Sequence, residues 1–338
     1  MTEGEIMSFS KKRENSSNTS EKKYWKSWNI KWNFFSILSV LVALLENVFI
    51  SSKENVNNGS YRIFLGCYLI YLVFIYLGGH YFSLKVRLFG GHFAQLNFIL
   101  GILLCVQDLL TEKFSIFSLP YFVSFAQVLD QINEDKSLLL QSTGASLLLW
   151  SLSFAFGTLI GIVLGILIGR YRQFNYWSLP FLKVIGIIPA AAWMPLTMVI
   201  FPTSYLAEIS LIVLSVWFPV AFMTKGGVEN ISPTYFEAAH TLGFNEIRII
   251  RKVVIPGALP NIFVGIFTAT GLSFTMLVIS EMVGARVGLG WYINWAKGTG
   301  NYTQVYAAIT IMAILFSCIF IVINKLQGTA LRWRPTVN

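Results

Sequence analysis

An all-α integral membrane protein with about eight transmembrane helices is the fold class this sequence predicts, and three observations carry it. Of the 338 residues 55% are hydrophobic and only 12% charged, a balance too apolar for a water-soluble domain of this size. Eight apolar stretches approach the roughly 20 residues that a helix needs to cross a bilayer, at 33–50, 62–79, 92–110, 144–169, 181–201, 205–224, 260–283 and 304–324. The remaining charge is sorted between the connecting segments. With the N-terminus inside, eighteen Lys and Arg fall on its side of the membrane, including Lys225, Arg248, Arg251 and Lys252. Only Lys53, Arg62, Lys113, Lys136, Arg286 and Lys297 fall on the other. This positive-inside bias places both termini and the polar segment 225–259 in the cytoplasm. It also accounts for the net charge of +9 without nucleic acid.

Residues 1–32 are polar and basic, too long and too polar for the positive end of a secretory signal, and read as a flexible cytoplasmic tail. The spans that follow hold three cysteines, Cys67, Cys105 and Cys318, each alone in an apolar run. No metal-ligand or disulfide spacing exists, so they read as buried hydrophobes, and neither metal nor cofactor is expected. The fourth span carries Gly157, Gly161, Gly165 and Gly169. A spacing of four keeps these glycines on one helix face, where a neighbouring backbone approaches closely. Pro189 and Pro195 in the fifth span and Pro219 in the sixth each remove a helix hydrogen bond, so both spans are expected to kink or break.

Acidic residues are few in the spans. Glu46, Asp108, Glu208 and Glu281 all fall toward the outer ends, where they read as interfacial groups in contact with water. A carboxylate at the bilayer centre, which costs about 2.5–3.5 kcal/mol on insertion scales, would have argued for ion coupling. In the seventh span Thr268, Gly271 and Thr275 recur at i, i+3 and i+7. That face suits a neutral pathway and suits tight helix packing equally.

The longest polar interruption runs from Ser232 to Pro260. Ser232 suits an N-cap and Pro233 the first helical position. Glu237, Ala238, Ala239 and His240 continue the helix, and Gly243 suits its left-handed end. Asn245 can cap a second helix with Glu246 in its first turn and Arg251 and Lys252 in its last. Ile247, Ile250 and Val254 form its apolar stripe, and Pro256 is expected to end it.

The order Glu237-Ala238-Ala239, Gly243, then Val253-Val254-Ile255-Pro256 resembles the EAA loop of ABC importer permeases. Val253 and Ile255 stand where that family usually has Ile and Leu. The flanks WFPVAFMTKGGVENISP and LPNIFVGIFTATGLSFTMLVISEMVGARVGLG are similar to the nitrate, sulfonate and taurine subgroup, and the resemblance covers residues 115–325. It implies a five-helix permease core over 137–326 with a cytoplasmic coupling loop at 225–259. A three-span extension over 33–110, an external linker at 111–136 and a cytoplasmic tail at 327–338 complete the chain.

The resemblance further implies a bacterial inner-membrane subunit that pairs with a second, identical permease copy. An ATPase would seat on the loop, with Glu237 making a charge contact, Ala238 and Ala239 allowing close approach and Gly243 setting the turn. An extracytoplasmic binding protein would deliver a small anionic or heterocyclic solute. The chain has no Gly-x-x-x-x-Gly-Lys-Ser/Thr loop, so ATP is expected in the partner. An ion-coupled secondary transporter or channel is the alternative, and a membrane enzyme or sensor is disfavoured because no catalytic cluster stands out.

Overall fold

A computed structural model describes residues 31–50, 58–81, 84–114, 116–117 and 120–332. The basic tail through residue 30 and residues 333–338 lie outside the described residues, as do the side chains of residues 79–92. All regular structure among the described residues is helical. Among the described residues seven helices are long and apolar enough to cross a membrane, or eight if one bent pair is a single span. The chain divides into two compact units, Met1–Glu134 and Asp135–Asn338.

In the first unit, α1 (Lys31–Phe49), α2 (Gly59–Tyr81) and α3 (Leu84–Asp108) are followed by a π-helical turn, Leu109–Lys113, and a short α4 (Phe125–Glu134). Within 111–136, expected to be a linker, lies α4, with Ala126 and Val128 on its buried face. Val40, Ala43, Tyr61, Leu65, Leu72, Leu104 and Ala126 form the core. At one end of this bundle the polar side chains turn inward. Asn47 Nδ2 donates to Asp108 Oδ2 at 3.2 Å, and Arg62 Nε donates to Asn47 Oδ1 at 3.0 Å. Asn58 Nδ2 donates to Glu112 Oε2 at 3.1 Å, and Cys105 Sγ–H donates to Glu46 Oε2 at 2.8 Å. Glu46 and Asp108 are therefore buried in protein and not water-facing, because partners on neighbouring helices replace the solvent.

The second unit contains α5 (Lys136–Arg170), α6 (Arg172–Ile187), a 3-10 turn (Ala190–Trp193), α7 (Met194–Ile200), α8 (Ser204–Glu229), α9 (Pro233–Thr241), α10 (Glu246–Ile249), a π turn (Ile250–Val254), α11 (Ile255–Gly284), α12 (Leu289–Gly298) and α13 (Tyr302–Ala330). Its core joins Leu149 and Trp150 of α5, Leu211, Ile212, Val216 and Val220 of α8, and Ala269, Phe274, Met276 and Leu277 of α11. Trp150 Nε1 donates to Ser273 Oγ at 2.8 Å, and the Phe274 ring stacks on Phe316 of α13 at 3.9 Å.

The prolines act unequally. At Pro189 the fifth span breaks, and the segments on either side, Arg172–Ile187 and Ala190–Ile200, meet at 91°. Pro195 opens α7, where its missing N–H is no loss. Pro219, expected to kink or break its span, lies inside an uninterrupted α8. The cysteines also depart from expectation. Cys67 and Cys318 are exposed and Cys105 is half-buried, all as free thiols, since an apolar side chain on a membrane helix loses nothing by facing lipid.

Candidate functional site

The interhelical seam of the second unit is built by glycine. A Cβ placed on Gly157, Gly161, Gly165 or Gly169 would meet the side chain of Val216, Val220, Thr224 or Val228 at 2.5–2.8 Å, one rung of α8 for each. Behind these side chains stand the carbonyls of Val213, Trp217, Ala221 and Lys225, at 2.7–3.2 Å. Real Cβ atoms do not approach that closely, so α5 and α8 sit at a separation that only glycine permits.

Both helices end at the polar hairpin. Pro233 occupies the first turn of α9, and Ser232 precedes it in extended geometry. The expected cap bond is absent, because the Ser232 hydroxyl donates to Thr234 Oγ1 at 3.3 Å instead. At the other end Gly243 takes φ +68°. The Gly243 N–H donates to the His240 carbonyl at 2.9 Å and the Phe244 N–H to the Ala239 carbonyl at 3.0 Å. This paired arrangement is a Schellman closure, and it needs the left-handed backbone that glycine adopts without strain. Asn245 then caps α10, its Oδ1 accepting from the Arg248 N–H at 3.0 Å.

Two features of the second helix differ from the sequence reading. Pro256 does not end it: the π turn Ile250–Val254 leads straight into α11, and Glu246–Gly284 is one continuous 39-residue candidate span. A proline lacks a donor and crowds the carbonyl four residues back. In the π turn the Ile255 N–H donates to the Ile250 carbonyl, five residues back, so the widened turn absorbs that conflict. It also shifts the helical phase. Ile249 and Val254, five apart, are the buried pair, whereas Ile247 of the expected stripe is 64% exposed.

The inner face of the hairpin is thereby welded to the spans. Ala239, Ile249 and Val254 share one core cluster with Ile166 of α5, Val228 of α8, and Ala258 and Ile262 of α11. Arg170, the last residue of α5, reaches both hairpin helices. It lies 4.7 Å above the Phe236 ring and pairs with Glu246 at 3.3 Å. The spacing of the motif does not reveal this side chain, because its partners are 66 and 76 residues away.

The outer face is bare. Glu237 and Ala238 are exposed, while Ala239 points into the chain's own core, so the two alanines do different work. Tyr235 and Leu242 are 66% and 71% exposed on the same short hairpin. Large apolar side chains flanking a free carboxylate mark a surface made to be covered. On α11, Thr268, Gly271 and Thr275 are exposed too, and a Cβ on Gly271 would meet nothing within 4 Å. Packing within the chain therefore does not account for that face.

At the opposite end of α8 and α11, the short helix α12 is tied down by residues that sequence reasoning passed over. Tyr292 Oη donates to Asp135 Oδ2 at 2.6 Å, which also accepts from Gln304 Nε2 at 2.9 Å. Burial, and then the neighbouring carboxylate, raise the Tyr292 pKa far above its ordinary value, so the hydroxyl stays a donor. The Leu289 N–H donates to Ser146 Oγ at 2.9 Å, and the Gly290 N–H donates to Glu281 Oε2 at 2.8 Å. Gly288, with φ +146°, lets the chain turn against that carboxylate, which a Cβ would strike at 2.6 Å. Glu281 and Glu208 are 1% and 2% exposed, so neither is the water-contacting interfacial group expected. The glycine-rich turn lets backbone, in place of solvent, face the Glu281 carboxylate.

Residues 157–332 match the family described as binding-protein-dependent transport system inner membrane component. The chain is 32% identical over 184 residues to the putative aliphatic sulfonates transport permease protein SsuC of Bacillus subtilis (strain 168), covering 54% of this chain and 67% of that one. It is 32% identical over 207 residues to the bicarbonate transport system permease protein CmpB of Synechococcus elongatus, covering 61% and 72%. Against the taurine transport system permease protein TauC of Escherichia coli (strain K12) it is 29% identical over 198 residues, covering 59% and 72%. Among solved structures, the inward-facing MetNI methionine ABC transporter matches in fold, with a TM-score of 0.50 at 23% identity over 58% of this chain and 97% of that one. The exposed Glu-Ala-Ala hairpin, the glycine seam leading to it and these matches place the chain in the binding-protein-dependent transport system inner membrane component family, as a permease of an ABC importer.

Proposed function

We propose that α9 and α10 are the seat of a separate cytoplasmic ATPase, and that the chain works as one of two identical permease copies. The observation that carries this reading is the division of the hairpin's faces. Its inner side is one core with α5, α8 and α11, while Tyr235, Glu237, Ala238 and Leu242 stand uncovered. A push on the outer face is transmitted to the spans, because close-packed elements move as bodies and do not deform continuously. ATP would be bound by the partner, and this chain would hold no cofactor. An extracytoplasmic binding protein would deliver the solute to the end bearing α12. Small anions or heterocycles are the proposed cargo, on the strength of the sulfonate, bicarbonate and taurine relatives. The exposed Thr268, Gly271 and Thr275 face of α11 would line the pathway between copies. Family membership weighs against the ion-coupled alternative.

Orientation is tested by labelling. Single cysteines near Asn18 and at Gly243 are expected to resist a membrane-impermeant thiol reagent on intact cells, while one near Asn57 reacts. Reaction at Gly243 from outside would put the hairpin on the wrong side for an ATPase. Copurification of an ATP-binding subunit with the tagged chain, lost on removal of residues 233–243, tests the docking itself.

A further inference from the structure

At the end of the second unit opposite the hairpin lies a cavity of about 610 Å³, lined among others by Ala145, Thr203, Tyr205, Glu208, Gly284 and Arg286. It is reached from the turn before α8 and the turn after α11. Glu208 is 98% buried yet borders this space, and its carboxylate makes no hydrogen bond or ion pair with any described residue. Gly284 makes room for it: a Cβ there would meet Glu208 Oε1 at 2.9 Å. Glu281 lies near enough for the two charges to interact, and its Oε1 likewise has no partner. The ion pairs Arg170–Glu246 and Lys225–Glu229 both lie at the other end of the unit. Arg286 borders the same cavity from an exposed position, with its guanidinium unpaired.

A buried carboxylate without a partner is costly, and a cationic guest in the cavity relieves that cost. A guanidinium is the side chain best shaped to take a sulfonate or carboxylate head through two parallel hydrogen bonds. A plain anion satisfies Arg286 but brings like charge toward Glu208 and Glu281. A plain cation satisfies Glu208 but leaves Arg286 idle. We propose that this cavity is a binding subsite for a small zwitterionic solute, its ammonium group held by Glu208 and its anionic head by Arg286. The proposal rests on the importer reading and narrows its cargo from small anions to those that also carry an amine.

The test uses the purified full-length chain in detergent and reads thermal midpoint against concentration of three probes of similar size: taurine, ethanesulfonate and ethylammonium. Taurine is expected to raise the midpoint more than either single-charge probe. Glu208→Gln is expected to weaken the taurine response about thirtyfold or more, the least that loss of one member of a buried charge pair entails, and to strengthen the ethanesulfonate response, because the like charge facing the anion is removed. Arg286→Gln, at an exposed position, is expected to weaken taurine and ethanesulfonate together. If Glu208→Gln does not fold, Arg286→Gln and the probe ranking on the wild type still decide. Equal responses to taurine and ethanesulfonate, an unchanged taurine response in Glu208→Gln, or no response to any probe would overturn the proposal. Failure of the importer reading would show elsewhere, as absence of ATP-driven uptake by the wild-type complex, because this binding assay involves no ATPase.

Discussion

Gly161→Leu and Gly165→Leu are both expected to abolish accumulation of assembled protein. At Gly161 even the first added carbon would lie 2.7 Å from Val220 Cβ and 2.8 Å from the Trp217 carbonyl. The carbonyl belongs to the α8 backbone and cannot rotate away, so the helices must separate along the whole seam. Overpacking of a core costs about 1–3 kcal/mol, and rigid backbone contacts lie at or beyond the upper end. For a domain held by about 5–15 kcal/mol in total, a leucine here removes a large share. Gly144 supplies the control, since it is on the same helix and a Cβ there meets nothing within 4 Å. Gly144→Leu should accumulate as wild type, measured by membrane-fraction blotting and detergent size-exclusion profiles.

Gly243→Val is expected to leave insertion intact and eliminate uptake. Nothing lies within 4 Å of a Cβ at this position, so the effect is purely conformational. At φ +68° an L-residue pays roughly 1–2 kcal/mol, and a β-branched one stands at the unfavourable end. The Schellman bonds from the Gly243 and Phe244 N–H groups would be given up to relieve that strain, and the angle between α9 and α10 would be lost. Gly243→Asn, which tolerates the left-handed region, should retain most uptake. A valine variant that transports as well as the asparagine variant would mean the angle is not used.

The membrane helices were legible because their signal is local: apolar length and charge sorting fixed where most spans lie. The hairpin's punctuation was legible for the same reason, since Pro233, Gly243 and Asn245 each act on the backbone within three residues. What escaped was non-local. The phase shift that buries Ile249 instead of Ile247 arises from a π turn, which accommodates Pro256 but has no composition signature. Glu208 and Glu281 sit near helix ends in the sequence, and only the fold shows that the α11–α12 turn closes over Glu281 while Glu208 lies almost wholly buried at the edge of a cavity. The spacing of Gly157 to Gly169 points to a close approach, but which helix approaches is decided by tertiary packing. Arg170 offered no motif at all; its meaning lies in Phe236 and Glu246, far along the chain.

The central claim, that the outer face of α9 and α10 receives the ATPase and couples its hydrolysis to the spans, is tested most directly with Glu237→Ala in the reconstituted complex. ATP hydrolysis is measured with and without loaded binding protein, beside uptake into proteoliposomes. Glu237 is exposed, and its carboxylate has no partner among the described residues, the Thr241 hydroxyl bonding only its backbone carbonyl, so removing the side chain leaves this chain's fold untouched. If it pairs with a cation in the partner's groove, its loss costs about 2–5 kcal/mol of docking. The account predicts normal insertion, with uptake lost and hydrolysis no longer stimulated by binding protein. Wild-type uptake together with wild-type stimulation in Glu237→Ala would contradict it.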